Sequence, residues 1–265
     1  MIEAFRNLFY DPRVRDVDVD NPSLLEFHNK IINEKKILRS AFNSFYDVML
    51  NCNKKFIKVK GKEFELGCGV GFFKKRRRAL ITTDIRHSKY IDCILDAQKM
   101  NLKDHSVRCF YAINVFHHLP KPDLFFKELI RVLVLGGGVI LIEPHNGFFS
   151  RTVHKYLHKN EIFNVFQKSW TNKKILGPLS GANQALSYLV FERDKKKFIK
   201  KYGNFLEIKH QKYINNGLRY FFSGGLNFRQ LLPNFFLHLI QLIESILSPF
   251  SKHTSLYQVT VIIRK

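Results

Sequence analysis

The chain is short of three things. It has four cysteines in 265 residues, Cys52, Cys68, Cys93 and Cys109, with no C-x-x-C pair and no zinc spacing. A disulfide scaffold and a zinc finger are therefore not expected, and no metal ligand set is read. The mostly apolar neighbours of these cysteines predict buried, reduced thiols in a cytoplasmic protein. Acidic residues are also scarce, 22 Asp and Glu against 44 Lys and Arg, which leaves a net charge of +22. Such a field favours anionic partners: nucleic acid, an acidic membrane surface or a phosphate-bearing substrate. Repeats and low-complexity segments are absent. The opening MIEAFRNLFYDPRVRDVDVD is acidic and lacks a long apolar core, so no secretory leader is expected.

What is present suits one domain with an elaboration. Hydrophobic residues make up 45% of the chain, with 26 phenylalanines against one tryptophan, enough to fill a core. Residues 23–52 read as helical, Phe42, Phe45, Tyr46, Met49 and Leu50 falling on one face. Five short apolar runs follow: KEFEL (62–66), ALITTD (79–84), YIDCILD (90–96), CFYAINVF (109–116) and GGVILIEP (137–144). Between the last two lies the amphipathic PDLFFKELIRVLVLGGG, whose glycines 136–138 are expected to end a helix in a left-handed cap. Apolar strands separated by turns and helices predict a parallel sheet covered on both faces, an α/β doubly wound domain.

The remainder reads as additions to that domain. Residues 146–192, with GPLSGANQ, are expected to form a cap over the sheet's carboxyl edge. From 193 a basic helix leads to the strand FLEIKHQKYI, and SLYQVTVIIRK closes the chain as another. Between them stand RYFFSGGLNFR and an apolar helix from about Leu231 to Leu247. Its polar stripe, Asn234, His238, Gln241, Ser245 and Ser248, makes it too polar for a span of ~20 apolar residues. Packing inside the protein and lying in a membrane interface both fit. The expected layout is a helical segment at 1–55, an α/β core at 56–145, the cap at 146–192 and a C-terminal unit at 193–265.

Ligands of parallel sheets bind beyond the carboxyl ends of the strands. ELGCGVGFF puts Gly67, Gly69 and Gly71 at such an end, but Phe72 stands where a dinucleotide fingerprint needs its third glycine. The loop permits close approach without a pyrophosphate seat. Asp84, closing the second strand, is placed to accept from both hydroxyls of a ribose. Asp96 and Ala97 then face an adenine, with Asn114 and Val115 on the other wall.

With ELGCGVG, TTDI, LDAQKMNL, NVFHHLPKPDLFFKELIRVLVLGGG and VILIEP in that order, the chain resembles class I S-adenosylmethionine-dependent methyltransferases over residues 62–145. The resemblance implies a Rossmann-like, mostly parallel seven-stranded sheet with an inserted cap, and S-adenosylmethionine as cofactor. It carries the cofactor contacts onto Glu65, Gly67, Cys68 and Gly69 for the methionine end, Asp84 and Ile85 for the ribose, and Asp96, Ala97 and Asn114 for the base. It departs from the family at Arg108-Cys109 and Val134-Leu135, and only Phe72 to Arg78 separate the loop from the second strand, so the first helix must be very short.

Methyl transfer is an in-line displacement that needs positioning and, for a hydroxyl acceptor, removal of a proton. His117 and His118 follow the fourth strand, and a neutral imidazole of pKa about 6.5 suits that role. Glu143 and His145, ending the fifth strand, are further candidates. A looser resemblance, to methyltransferases of bacterial surface-polysaccharide gene clusters, implies O-methylation of a sugar hydroxyl of a glycan or lipid-linked glycan precursor. Peripheral association with the inner face of an anionic membrane would suit such an acceptor. The alternatives are a quinone or lipid acceptor, RNA, or a scaffold without activity; no RNA-binding module is recognised.

Overall fold

The computed structural model describes residues 8–157, 161–172 and 177–265. Seven strands form one sheet: β1 (Lys62–Leu66), β2 (Ile81–Asp84), β3 (Cys93–Ile94), β4 (Val107–Ile113), β5 (Leu133–Pro144), β6 (Leu206–Ile214) and β7 (Tyr257–Arg264). Their spatial order is β3-β2-β1-β4-β5-β7-β6. β1 to β5 pair in parallel, while β7 lies antiparallel between β5 and β6. The mostly parallel Rossmann-like sheet is as expected.

Period-two alternation divides the core between the two faces. Phe110, Ala112, Val139, Leu141 and Ile262 point to one side, where they meet Phe125, Phe126 and Leu129 of α3 (Pro122–Val132) and Phe198 of α5 (Lys195–Tyr202). Tyr111, Ile140, Ile142, Val259 and Val261 point to the other, against Phe45, Tyr46 and Met49 of α2 (Lys36–Phe56). α4 (Phe148–Leu157) follows β5, with Val153 in the second cluster.

The expected helix over 23–52 is two helices, α1 (Leu24–Glu34) and α2, broken at Lys35. Lys35 is extended (φ −83°, ψ 94°) and its buried ammonium donates to the carbonyls of Gly225 and Phe228. That charge needs those acceptors more than the helix needs continuity. The glycine cap is also corrected. α3 stops at Val132, and Gly136 to Gly138 lie inside β5. A Cβ on Gly138 would sit 2.5 Å from the carbonyl oxygen of Ile262, so close passage of the antiparallel strand requires glycine there. Of the cysteines, Cys52 and Cys109 are buried, Cys68 is half-buried and Cys93 is exposed; all four are free.

After α6 (Gly217–Phe222), the helix expected from 231 to 247 is α7 (Leu237–Ile246), preceded by a single 3-10 turn, and only Ile240 and Glu244 of it are buried. Among the described residues no helix is long and apolar enough to cross a membrane.

Candidate active site

β1, β2 and β4 are neighbours, so their carboxyl ends open on one edge of the sheet. There a cavity of about 310 Å³ is lined by Gly67, Asp84, Ile85, Asp96, Ala97 and Asn114. Gly177, Pro178 and Leu179 of the expected cap close over it, and His118 stands in its wall. Sequence positions spread over more than a hundred residues thus meet in one place.

The loop after β1 turns sharply. Gly67 has φ 58°, and a Cβ there would come within 2.5 Å of Val115 Cγ2. Gly69 has φ 55° and nothing within 4 Å of where its Cβ would be. The first glycine is needed for packing under β4; the second leaves free space at the turn. Phe72–Lys75 is one 3-10 turn, as the short separation required. The Cys68 amide donates to the Thr83 carbonyl at 2.9 Å, and its thiol turns towards Tyr90 rather than into the cavity. Cys68 thus serves the turn and does not line the cavity.

Glu65, at the end of β1, is buried, and its Oε2 has no hydrogen-bond partner. Burial, and then the charge of Asp84, push its carboxyl up to about 8. Asp84 accepts from the Arg86 amide at 3.0 Å and, at 3.4 Å, from the Gly69 amide and Arg86 Nε. Its outer oxygen keeps room for further donors. Arg86 also lines the cavity, with Nη1 unpartnered. It was missed in the sequence because the residue after a strand-end Asp-Ile carries no spacing signal. Asp96 caps its own turn through the Gln98 amide at 2.8 Å. Asn114 is left-handed (φ 56°), with its side-chain oxygen unpartnered; strain of this kind is held where a loop must present a side chain.

The candidate bases are not equivalent. Glu143 Oε1 accepts from the backbone amides of Val115 (3.0 Å) and Phe116 (2.8 Å), and Oε2 meets His117 Nδ1 at 2.5 Å. Both oxygens are occupied within the protein, so Glu143 orients His117 and is not itself the base. His117 is buried, which alone lowers its pKa, but the carboxylates of Glu143 and Glu161 outweigh burial and raise it to about 10. His118 alone lines the cavity. His145 Nε2 meets the Lys252 carbonyl at 2.9 Å, and burial lowers its pKa; it braces the turn before α4. Glu161, far off in sequence, closes the group: its carboxylate lies 3.4 Å from His117 Nε2 and 3.7 Å from His118 Nε2.

Residues 64–141 match the family model described as a methyltransferase domain. The chain carries an S-adenosylmethionine-dependent methyltransferase domain. No curated protein matches it. Among solved structures it is similar to geranyl diphosphate C-methyltransferase from Streptomyces coelicolor A3(2), in complex with Mg²⁺, geranyl diphosphate and S-adenosyl-L-homocysteine. That similarity has 14% identity, covers 97% of this chain and 89% of the other, and has a TM-score of 0.51. A SAM-dependent methyltransferase from Archaeoglobus fulgidus is 13% identical, over 82% of this chain and 92% of its own, with a TM-score of 0.45. At 14% identity the first likeness is one of fold.

The domain's own residues fit the cofactor. An unpartnered buried carboxylate at Glu65 suits an ammonium group, Asp84 Oδ2 accepts only the long bond from the Gly69 amide and has room for ribose hydroxyls, and Ile85 and Ala97 offer apolar walls to a flat base. The polar side chains of the cap are less available than their sequence suggested. Ser180 donates to Asp20 at 2.7 Å, Asn183 donates to the Asn164 carbonyl at 2.9 Å, and Gln184 donates to Glu161 at 2.5 Å.

Proposed function

We propose that the methyltransferase domain transfers a methyl group to a hydroxyl oxygen of a sugar, on a surface glycan or a lipid-linked glycan precursor. The observation that carries an oxygen acceptor is the wall beside the cofactor cavity, where His118 and Glu161 stand together. S-adenosylmethionine supplies an electrophilic methyl on a sulfonium centre. The protein's part is to hold the acceptor oxygen in line and give its proton somewhere to go. Glu65 and Asp84 hold the cofactor's charged and hydroxylated ends, Gly177 to Leu179 exclude water above it, and the His118–Glu161 pair receives the acceptor.

The run KKRRR (74–78) gives little support to an RNA substrate. Lys74 pairs with Asp92, Arg76 with Asp47 and Arg77 with Glu63, so three of its five cations serve the fold.

Two experiments test the reading. Calorimetric titration with S-adenosylhomocysteine is expected to give micromolar binding that weakens at least about tenfold, ~1.4 kcal/mol, in Asp84→Ala. Labelled methyl groups from S-adenosylmethionine are then followed into glycan, lipid and RNA fractions of a cell extract. Label in the glycan or glycolipid fraction is the expected result; label in RNA or in quinone overturns the acceptor class.

A further inference from the structure

His117 joins the His118–Glu161 pair in a cluster tighter than receiving an acceptor requires. The ligating atoms of the three lie within 4.8 Å of one another. His117 Nδ1 is engaged by Glu143, so Nε2 faces the Glu161 carboxylate at 3.4 Å. A lone pair aimed at a carboxylate is repulsive unless something positive lies between them, either a second proton or a cation. In a tetrahedral site with metal–ligand bonds of about 2.0–2.1 Å, neighbouring ligand atoms stand about 3.4 Å apart. The 3.4 Å from His117 Nε2 to Glu161 Oε2 matches such an edge and is long for a hydrogen bond, and His118 Nε2 stands 3.7 Å from the other carboxylate oxygen, Oε1. Glu143 behind His117 supplies the carboxylate–histidine support that metal sites use to fix a tautomer.

We infer that His117 Nε2, His118 Nε2 and the Glu161 carboxylate bind a divalent first-row cation such as Zn²⁺. Two imidazoles and one carboxylate leave coordination positions open. His118 lines the cavity, so these positions face the acceptor and suit a hydroxyl or phosphate oxygen. This deepens the O-methylation reading by giving the acceptor oxygen its anchor. The sequence hid the site because Glu161 lies 43 residues beyond His118, on another segment.

The test needs neither cofactor nor acceptor, so its failure is separate from failure of the methyltransferase reading. Chelator-stripped protein is titrated calorimetrically with Zn²⁺ and, for its visible bands, with Co²⁺. One ion per chain is expected. Affinity should fall at least about tenfold in His118→Ala and in the conservative Glu161→Gln, and about 10–100-fold in Glu143→Gln, which holds His117 and the 115–116 backbone without touching the ion. Circular dichroism checks that each variant folds, and His253→Ala, at an exposed histidine, should leave binding unchanged. Absence of stoichiometric binding, or equal binding by wild type, His118→Ala and Glu161→Gln, overturns the site.

A second inference rests on α7. Most of the apolar side chains of this helix are not packed inside the protein. Two of its polar side chains hold it to the protein: Glu244 accepts from Arg219 Nε (2.6 Å) and from the Arg219 amide (2.8 Å), and Gln241 donates to Ser40 at 3.4 Å, while His238 and Ser245 are exposed. At its foot, Asn234 accepts from the Lys36 amide at 3.1 Å. Its apolar side faces solvent, with Leu242 58% and Ile246 66% exposed, continued by Phe235 at 76% and Phe250 at 61%. Exposed Lys36, whose amide meets Asn234, and exposed Lys252, two residues after Phe250, stand at its ends, and its one acid, Glu244, pairs inward with Arg219. We propose that this stripe lies in the headgroup region of an anionic bilayer.

Vesicles of phosphatidylcholine with and without phosphatidylglycerol test this by co-sedimentation. Retention on the anionic vesicles, reduced about tenfold or more in the double variant Leu242→Ser/Ile246→Ser, is expected. Retention unaffected by that variant overturns the proposal, as does a solution dimer that the same variant splits, which would give the stripe to a second copy.

Discussion

Glu63 and Glu65 stand two residues apart on β1, both buried, and their surroundings are opposite. Glu63 is saturated. Arg77 reaches it twice, at 2.8 and 2.7 Å, Arg108 pairs with it, and the Tyr111 hydroxyl donates at 3.2 Å. Burial pushes its carboxyl up, but Arg77 and then Arg108 outweigh burial and hold it below the usual range. Glu65 has no cation beside it, and its carboxyl rises to about 8. The amino end of the strand is complete in itself; the carboxyl end leaves a buried acid without a counter-charge. Such a group costs folding free energy and is retained where a ligand will supply the missing charge.

The largest expected effect lies at the complete end. Glu63→Ala strands Arg108, whose side chain is only 11% exposed, as an unpaired buried cation. Breaking a buried pair from one side costs about 3–5 kcal/mol. Arg77 remains 41% exposed and loses little, so about 3 kcal/mol is expected in denaturant unfolding. Binding of S-adenosylhomocysteine should change little in the fraction that stays folded. A loss below 1 kcal/mol would mean that Glu63 is as dispensable to the fold as its neighbour and would remove the contrast.

At the incomplete end the sign reverses. Below the ordinary carboxyl value of 4.5 Glu65 is protonated in both folded and unfolded chains. Between there and about 8 the unfolded chain gives up the proton and the folded chain keeps it, so stability falls as pH rises. Above about 8 the penalty is constant. Glu65→Gln should therefore match wild type at about pH 4.5 and be more stable by roughly 2 kcal/mol or more at pH 8, since each pKa unit is worth ~1.4 kcal/mol. It should also bind S-adenosylhomocysteine about tenfold more weakly. Saturating cofactor, with its ammonium beside the acid, should flatten the wild-type slope. Parallel pH profiles for the two proteins would show that Glu65 has a partner in solution.

The same contrast marks how far the sequence could be read. The strands, their order in the chain, the glycine loop and Asp84 were legible because the cofactor half is local: each piece is a strand end with its own turn. The roles of the charged residues were not. Nothing in KEFEL separates Glu63 from Glu65; the difference is made by Arg77 and Arg108, which arrive from other segments. Glu143 looked like a base and is a brace, because both of its oxygens are taken by residues from the loop after β4. The polar stripe of α7 was visible, but not that Gln241 of it and the neighbouring Glu244 turn inward while His238 and Ser245 stay exposed, since Ser40 and Arg219 lie far off in the chain. Gly136 to Gly138 followed a helical pattern and so looked like its cap, whereas the closeness of β7 is what calls for glycine.

A third carboxylate separates pairing from burial. Asp92 is paired with Lys74, and that hydrogen bond is the main reason its pKa is lowered. Both side chains are about two-fifths exposed, so water already solvates the two charges and salt screens them. Lys74→Ala should cost under about 0.5 kcal/mol, and less still at high ionic strength. Asp92 keeps the Thr82 amide at 2.8 Å in any case. If the loss matched that of Glu63→Ala, contact alone would set the value of a charge pair here. If it stays small, exclusion of water is what makes Glu63 costly to unpair and leaves Glu65 in need of a ligand.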